Sequence, residues 1–541
     1  MTHIKSRIMI TTAFLIILSV SCYLPLLNVL ENSDFSSFKE LAKNLFFSIG
    51  YACLVALFWK NRFTRIFAFL MITIWIVNYS ITFSIYLLFN TALDSQLTMT
   101  ILCSNLNEAK NFIIAYWHLA LILLFIFIIF CLSINSLSYN LKNKTLVIIS
   151  SLLILTVGYK VCELTLRGKF NEPNFLMSEK LSSYMTLNNY AVFLRTYEDM
   201  KILNNVEDNR PIYNLDIKET EIDTYVLVLG ESVRRDHVSL NGYERLTMPN
   251  MQKRKQELFI FEQAISAAPI TTMALTSALT MKPVNSDDYL LLADNIINLA
   301  NQAGYETYWY SLQRPLGQYN TVITSIAKMS DHLEWLDITK NDDIFPPKID
   351  EALNDRTVQK QKKLIVIHTN GSHFLACNQY PQSEKYFTGG ESIVADCYDD
   401  SIRFTDKILE QIFVMLEGKH ASVFYFSDHG QVRRMKRGEL DYFHGSINPS
   451  KESIEVPQFI WYSPILSSHD KKLGSYPHLY STGNNYYLLA NWLGIKAINE
   501  QVISSPLIDS YYPENNFIIM DTRSNIFRYE NMRSDKNIGK E

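Results

Sequence analysis

Five runs of apolar residues crowd the first third of the chain, near 8–30, 44–59, 66–89, 111–134 and 145–164. Each approaches the ~20 residues that a helix needs to cross the hydrocarbon core of a bilayer. Residues 1–164 are therefore read as a transmembrane domain of five helical spans. The first run follows Lys5 and Arg7 as a signal peptide would. It is long, however, lacks a small-residue cleavage pattern and is followed by further apolar runs, so it is read as a retained anchor.

Loop charges orient the spans, because cytoplasmic loops carry the excess of Lys and Arg. Lys5 and Arg7, then Lys60, Arg62 and Arg65, then Lys142 and Lys144 fall on one side. The alternate loops carry Glu31, Asp34 and Glu40, then Asp94 and Glu108. Five spans starting inside put the N-terminus in the cytoplasm and everything after Cys162 outside, in the periplasm of a cell with two membranes. If the short second run did not span, this topology would invert.

The mean hydropathy of 0.00 blends this apolar third with a polar remainder. With 541 residues, 48% of them apolar, and a net charge of -4, the chain is neither a disordered tail nor a basic nucleic-acid binder. Five of seven cysteines (Cys22, Cys53, Cys103, Cys131, Cys162) lie in or beside the apolar runs and read as small apolar side chains. Cys377 and Cys397 are an even pair in the polar part, which suggests a disulfide in an oxidising compartment.

Residues 165–220 mix Leu, Tyr and Asn with charges and two prolines, as helical linker segments near a membrane surface do. From 221 to 541 the texture is α/β. The runs YVLVLG (225–230), ETYWYS (306–311), KLIVIHTNG (363–371), SVFYFSDHG (422–430) and PQFIWYS (457–463) alternate with helical stretches such as 291–303 and 399–416. Buried strands alternating with helices predict a largely parallel sheet covered on both faces.

Three of these strands end in potential ligands: Glu231, then His368 and His373, then Asp428 and His429. Sites in open α/β sheets form at the carboxyl ends of strands, so these groups can converge. Carboxylates mixed with imidazole suit zinc better than calcium or magnesium. A nucleophile must accompany them. Ser232 in GESVR lacks the glycine two residues on that a nucleophile elbow needs. Thr271 follows Pro269 at the expected start of the helix TTMALTSALT, where free N–H groups favour a phosphoryl group. On residue chemistry alone it is equally an ordinary helix N-cap.

GESVRRDHVSLNGYERLTMPN (230–250), HTNGSH (368–373), CYDDSIRFTD (397–406), SDHG (427–430) and FHG (443–445) resemble the phosphoethanolamine transferases of Gram-negative inner membranes, the family of the colistin-resistance enzymes. The resemblance spans nearly the whole chain. It implies an alkaline-phosphatase/sulfatase-like periplasmic domain with catalytic zinc, and a phosphorylated Thr intermediate charged from phosphatidylethanolamine. Position by position, Glu231, Thr271, Asp428 and His429 resemble the zinc ligands, Thr271 also the nucleophile. His373 and His444 match histidines facing the phosphate or a second zinc. Asn105 and Glu108, in SNLNEAKNF, match residues near the lipid donor, and Cys377 and Cys397 lie where the family often has a disulfide. The implied acceptor is lipopolysaccharide, at lipid A or a core sugar, and the implied form is a monomer in the inner membrane.

The chain also departs from the pattern. Ala267, Ala268 and Ser277 stand where a local disulfide and its neighbouring glycine are usual, and Gln431 replaces the Glu that commonly follows SDHG. Thr272 sits beside the candidate nucleophile. Two rival expectations follow: another phosphodiester or sulfate-ester enzyme of the same superfamily, such as a glycerol-phosphate transferase, and an inactive membrane scaffold or sensor. ITTMALT lacks the Cys/Ser-x-Pro-x-Arg setting of a type I sulfatase. Six retained polar groups, costly to bury without a metal, argue against the scaffold.

Overall fold

The computed structural model describes residues 2–32, 35–89, 93, 98, 106–166, 188–286, 288–313, 321–337, 339–358, 360–373, 375–436, 439–443, 449–513, 517–521, 525–536 and 538. The chain forms two compact units, one of Met1–Met200 with Leu316–Gln318, the other of Lys201–Pro315 and Tyr319–Glu541.

The first unit is helical: α1 (Thr2–Ser21), α2 (Tyr23–Asn32), α3 (Phe35–Lys60), α4 (Arg65–Phe89), α5 (Leu106–Asn140), α6 (Asn143–Leu166) and α7 (Asn188–Asn204). Among the described residues four helices are long and apolar enough to cross a membrane, Phe38–Lys60, Arg65–Tyr86, Leu121–Asn140 and Asn143–Leu166, where five were expected. The first apolar run is divided instead, with a bend at Cys22 between α1 and α2. Pro25 accounts for the break, since it has no N–H for the Ser21 carbonyl and its ring crowds that oxygen. α1 nonetheless packs with its neighbours: Ala13 and Ile17 join Ala52, Ala56, Trp75, Phe130 and Ile134 in one core. A Cβ on Gly50 would lie 2.9 Å from Leu153 Cβ, so a small residue there permits the close crossing of α3 and α6. Polar side chains in these helices bond back to the preceding turn, as Ser133 does to Ile129 O and Ser150 to Leu146 O.

The second unit is built on β1 (Leu215–Ile217), β2 (Thr224–Gly230), β3 (Leu258–Ile265), β4 (Tyr305–Ser311), β5 (His332–Trp335), β6 (Lys362–His368) and β7 (Ala421–Ser427). Further on come β8 (Val432–Lys436), β9 (Glu439–Phe443), β10 (Gln458–Tyr462), β11 (Gly474–Ser481), β12 (Ile495–Ile498), β13 (Gln501–Val502), β14 (Ile518–Met520) and β15 (Ile526–Arg528). Eight strands form the main sheet in the order β11-β3-β10-β7-β2-β6-β4-β5. Only β10 runs against its neighbours, so the sheet is mixed though largely parallel. All five strands read from the sequence are present. The edge strands β5 and β11, and β3 beside β11, were not read, because LFIFEQAI and GSYPHLYS have weaker apolar runs or turn residues.

Every residue of β2, β4 and β7 is buried, as a parallel sheet covered on both faces requires. The long helix Ile393–Leu416 covers one face. Its N-cap Ser392 accepts from Ala395 N, and its Ile402, Leu409, Ile412 and Phe413 pack against Tyr425, Phe459 and Trp461. Phe413 stacks on Trp461 with ring centroids 4.6 Å apart. Cys377 and Cys397 are joined by a disulfide, tying the loop after β6 to this helix.

Candidate metal centre

The adjacent parallel strands β2 and β7 pair Gly230 with Ser427, so the next residues on each strand, Glu231 and Asp428, leave the sheet side by side. Asp428 N donates to Gly230 O at 3.0 Å, which keeps the two strand ends together. Glu231, Asp428 and His429 are all buried, and one ligand atom from each lies within 4.8 Å of the others. His429 Nε2 is 3.6 Å from Glu231 Oε1 and 3.4 Å from Asp428 Oδ2.

Thr271 is the first residue of the helix Thr271–Leu279, after an extended Ile270 that provides no side-chain cap. It is therefore not the N-cap. Its Oγ1 donates to Glu231 Oε2 at 3.0 Å and lies 3.3 Å from His429 Nε2. The helix's first N–H groups thus open beside the cluster, with their dipole favouring an anion.

The donor set fits a divalent cation. His429 Nδ1 is 2.6 Å from Gly430 O; a carbonyl only accepts, so the hydrogen sits on Nδ1 and Nε2 offers its lone pair to the cluster. Asp428 Oδ1 accepts from Ser232 N and His429 N, while its Oδ2 is buried without a hydrogen-bond partner of ordinary geometry. Burial, and then Glu231 beside it, push the Asp428 carboxyl well above its ordinary range. A cation among these groups relieves that repulsion and gives Oδ2 a partner. Two carboxylates, one imidazole and a hydroxyl form a set of the zinc type.

Several further residues build the site, among them Gln313 and Asp342, which no sequence pattern singles out. Ser232 holds φ +61°, and its Oγ donates to Glu231 Oε1 at 2.6 Å. Gln313 Nε2 bridges Glu231 Oε2 (3.1 Å) and Thr369 O (2.8 Å). Asp342 accepts from Asn370 N and Gly371 N, both at 2.9 Å; burial pushes its carboxyl up to about 6. Gln431, where the sequence departs from its family pattern, is buried and donates to Ser372 O at 2.8 Å. Apart from the Ser232–Glu231 pair these contacts join segments distant in sequence, and no motif announces Gln313 or Asp342.

Gly371 has φ +47°, and a Cβ there would lie 2.8 Å from Glu231 O. Gly371→Ala is therefore expected to displace the loop, lowering stability by about 2 kcal/mol and activity with it. Denaturant unfolding of the purified chain measures the first effect; wild-type stability would remove this account of the glycine.

The other expected site residues are placed differently. His368 is buried at the end of β6, its Nδ1 3.3 Å from Ser311 Oγ and its Nε2 without a partner; burial pushes it down to about 4, so it is neutral near pH 7. Neither His368 nor His373 belongs to the three-residue group. His373 is half-buried, and its N–H donates to Asn370 O. His444 and Asn105 lie outside the described residues, as does Cys103. Glu108 is in the first turn of α5, with its side chain outside the described residues.

The sulfatase family matches residues 223–494, and the transferase YhbX N-terminal domain matches residues 1–207. A putative transferase YhbX of Escherichia coli (strain K12) is 33% identical over 451 residues, 83% of this chain and 82% of that one. Phosphoethanolamine transferase OpgE of the same organism is 28% identical over 424 residues, 76% of each chain. Among solved structures, the integral membrane lipooligosaccharide phosphoethanolamine transferase EptA from Neisseria meningitidis aligns with a TM-score of 0.59 at 19% identity, covering 90% of this chain and 95% of that one. The C-terminal periplasmic domain of Escherichia coli EptC, in complex with Zn, aligns with a TM-score of 0.52 at 22% identity, over 61% of this chain and 99% of that one. The shared sulfatase domain and these relatives make the chain a member of the phosphoethanolamine transferase family.

Proposed function

We propose that the chain moves phosphoethanolamine from phosphatidylethanolamine, through a phosphorylated Thr271, to a lipopolysaccharide acceptor at a core sugar or lipid A. The observation that carries this reading is the reach of Thr271 Oγ1 to Glu231 and His429 at the uncapped start of a helix. Glu231, Thr271, Asp428 and His429 would hold zinc. Zinc supplies a lowered hydroxyl pKa and neutralises charge on phosphoryl oxygens. The EptC domain crystallised with Zn and the fit of these donor atoms support that assignment.

Thr271 Oγ attacks the phosphorus, forming the Thr–O–P bond as the bond to the diacylglycerol oxygen breaks. The hydroxyl proton leaves toward the carboxylate or imidazole that flanks it. His373 or His444 protonates the departing diacylglycerol oxygen and later deprotonates the acceptor hydroxyl, which then takes the phosphoethanolamine as the Thr271 oxygen regains its proton from the flanking group. N–H groups of the first helical turn bind the phosphoryl oxygens. By the resemblance, Asn105 and Glu108 would serve the lipid donor. In this reading the protein is an inner-membrane monomer, and α1 counts as the fifth crossing because it packs in the same core as α3, α4 and α5. An odd number of crossings puts the second unit in the periplasm.

The test uses the full-length protein in detergent with phosphatidylethanolamine. Intact-mass measurement is expected to show one phosphoethanolamine per chain, matched by released diacylglycerol on thin-layer chromatography. A chelator is expected to stop both, and added zinc to restore them. Charging from phosphatidylglycerol instead would replace this reading with glycerol-phosphate transfer. Mass spectrometry of lipopolysaccharide from cells with and without the gene identifies the acceptor.

A further inference from the structure

The first unit contains a cavity of about 560 Å³ whose walls include Glu40, Asn44, Asn78, Phe83, Ile126 and Arg195. All of its lining residues come from this one unit. Apart from Leu93 they belong to the end of α1 and the start of α2, the start of α3, the later half of α4, the middle of α5 and the helix α7. The other end of the helix group carries Lys60, whose Nζ donates to Leu141 O at 3.1 Å, close to the start of α6. Glu40 and Lys60 are twenty residues apart on one helix, a rise of about 30 Å, which equals the hydrocarbon thickness of a bilayer. By the loop-charge rule the Lys60 end is cytoplasmic, so the cavity lies at the level of the outer leaflet.

Glu40 and Arg195 both line this cavity and are exposed, so at that level their carboxylate and guanidinium are open to a ligand. Together they complement a zwitterion. Arg195 offers a planar fork to a phosphodiester, and Glu40 with Asn44 offers acceptors to a primary ammonium. Phe83 and Ile126 present apolar surface to acyl chains. The wall bearing Arg195 is pinned, because Asn189 on the same helix donates through Nδ2 to Asn78 O (2.7 Å) and Thr82 Oγ1 (2.6 Å). The volume fits a headgroup with the first part of its chains.

We infer that this cavity holds the headgroup of phosphatidylethanolamine drawn from the outer leaflet, as a donor-holding site. The inference rests on the transferase reading and names where that reaction's lipid is first bound. Phosphatidylcholine, with no ammonium hydrogens, and phosphatidylglycerol, with no cation, satisfy only half of the charge pattern.

The experiment uses the full-length protein with each of the three lipids, bound lipid being counted by native mass spectrometry. Wild type is expected to retain phosphatidylethanolamine selectively. Arg195→Gln and Glu40→Gln are each expected to lower that retention at least about tenfold, the worth of one charge-assisted hydrogen bond. They should raise by a similar factor the phosphatidylethanolamine fraction that half-saturates charging of Thr271, without changing its maximum. Arg195→Lys should recover part of the loss. Ile126→Trp, which fills the cavity without touching a charge, should also expel the lipid. Wild-type retention in the Gln and Trp variants, or equal retention of phosphatidylglycerol by wild type, would overturn the inference. Selective retention with no charging of Thr271 would leave the cavity standing and sink the transferase reading.

Discussion

Replacing Thr271 by alanine is expected to abolish the phosphoethanolamine adduct and cut turnover by roughly three orders of magnitude or more, the scale of losing an attacking oxygen. Thr271→Ser keeps an oxygen in the same place and should stay within about tenfold of wild type, since only a methyl group is lost. The neighbouring Thr272 gives a sharp control. It is turned about 100° around the helix from Thr271, and its carbonyl accepts from Thr276 Oγ1. Thr272→Ala is therefore expected to leave the adduct intact, within about threefold of wild-type rate, a change below 1 kcal/mol. An adduct that persists in Thr271→Ala and vanishes in Thr272→Ala would reverse the choice between them. Thr271 is only partly buried and caps nothing, so its replacement should leave unfolding almost unchanged. That separates a chemical loss from a structural one.

The largest stability effect is expected at Arg234, a charged side chain with no exposure. Its Nε and Nη2 donate to Asp236, its Nη1 and Nη2 to Asp535, and its Nη1 also to Gln431 O. Asp535 is itself buried and accepts further from Ser450 Oγ and Arg433 N. The bridge thereby ties the C-terminal segment to the loop after β2. Arg234→Met would strand the Asp535 charge inside the protein, at a cost of about 3–5 kcal/mol. Denaturant unfolding checks this. Asp535→Leu in the same chain should return part of the loss, because the stranded partner is then removed. A single Arg234→Met variant as stable as wild type would mean that the network adds nothing to the fold.

The same network gives a pH signature. Burial opposes ionisation of Asp236, but the charge and hydrogen bonds of Arg234 outweigh it and hold the carboxyl well below the usual carboxylate range. A carboxylate depressed in the folded state binds protons more weakly there than in the unfolded chain. Its contribution is therefore present above the unfolded value of about 4 and is lost as pH falls below it. Acid titration of unfolding should be steeper below that pH in wild type than in Arg234→Met.

Strands β2, β6 and β7 were legible because each carries an apolar run, the pattern that burial on both faces imposes, and β4 because YETYWYS is rich in the aromatic residues that favour strands. β10 was legible as a strand but not in its direction. Its reversal depends on pairing with β3 and β7 at once, and no property of PQFIWYS encodes that. The division of the first apolar run into α1 and α2 was not legible, because hydropathy averages over Pro25, whose effect is local and geometric.

The sequence by itself determined the chemistry available to this protein: apolar runs of spanning length, strands that end in Glu231, Asp428 and His429, and a threonine at a helix start. Those are local properties, readable because periodicity and charge act over a few residues. Only the tertiary structure decided which groups meet. It turned Thr271 toward Glu231 instead of its own helix, left Asp428 Oδ2 buried without a partner, and set Ser232, Gln313 and Gly371 around the carboxylate. It also placed Glu40 and Arg195, 155 positions apart in the sequence, in the lining of one cavity. Such contacts are fixed by strand register and side-chain packing over the whole fold, and short-range patterns carry no record of them.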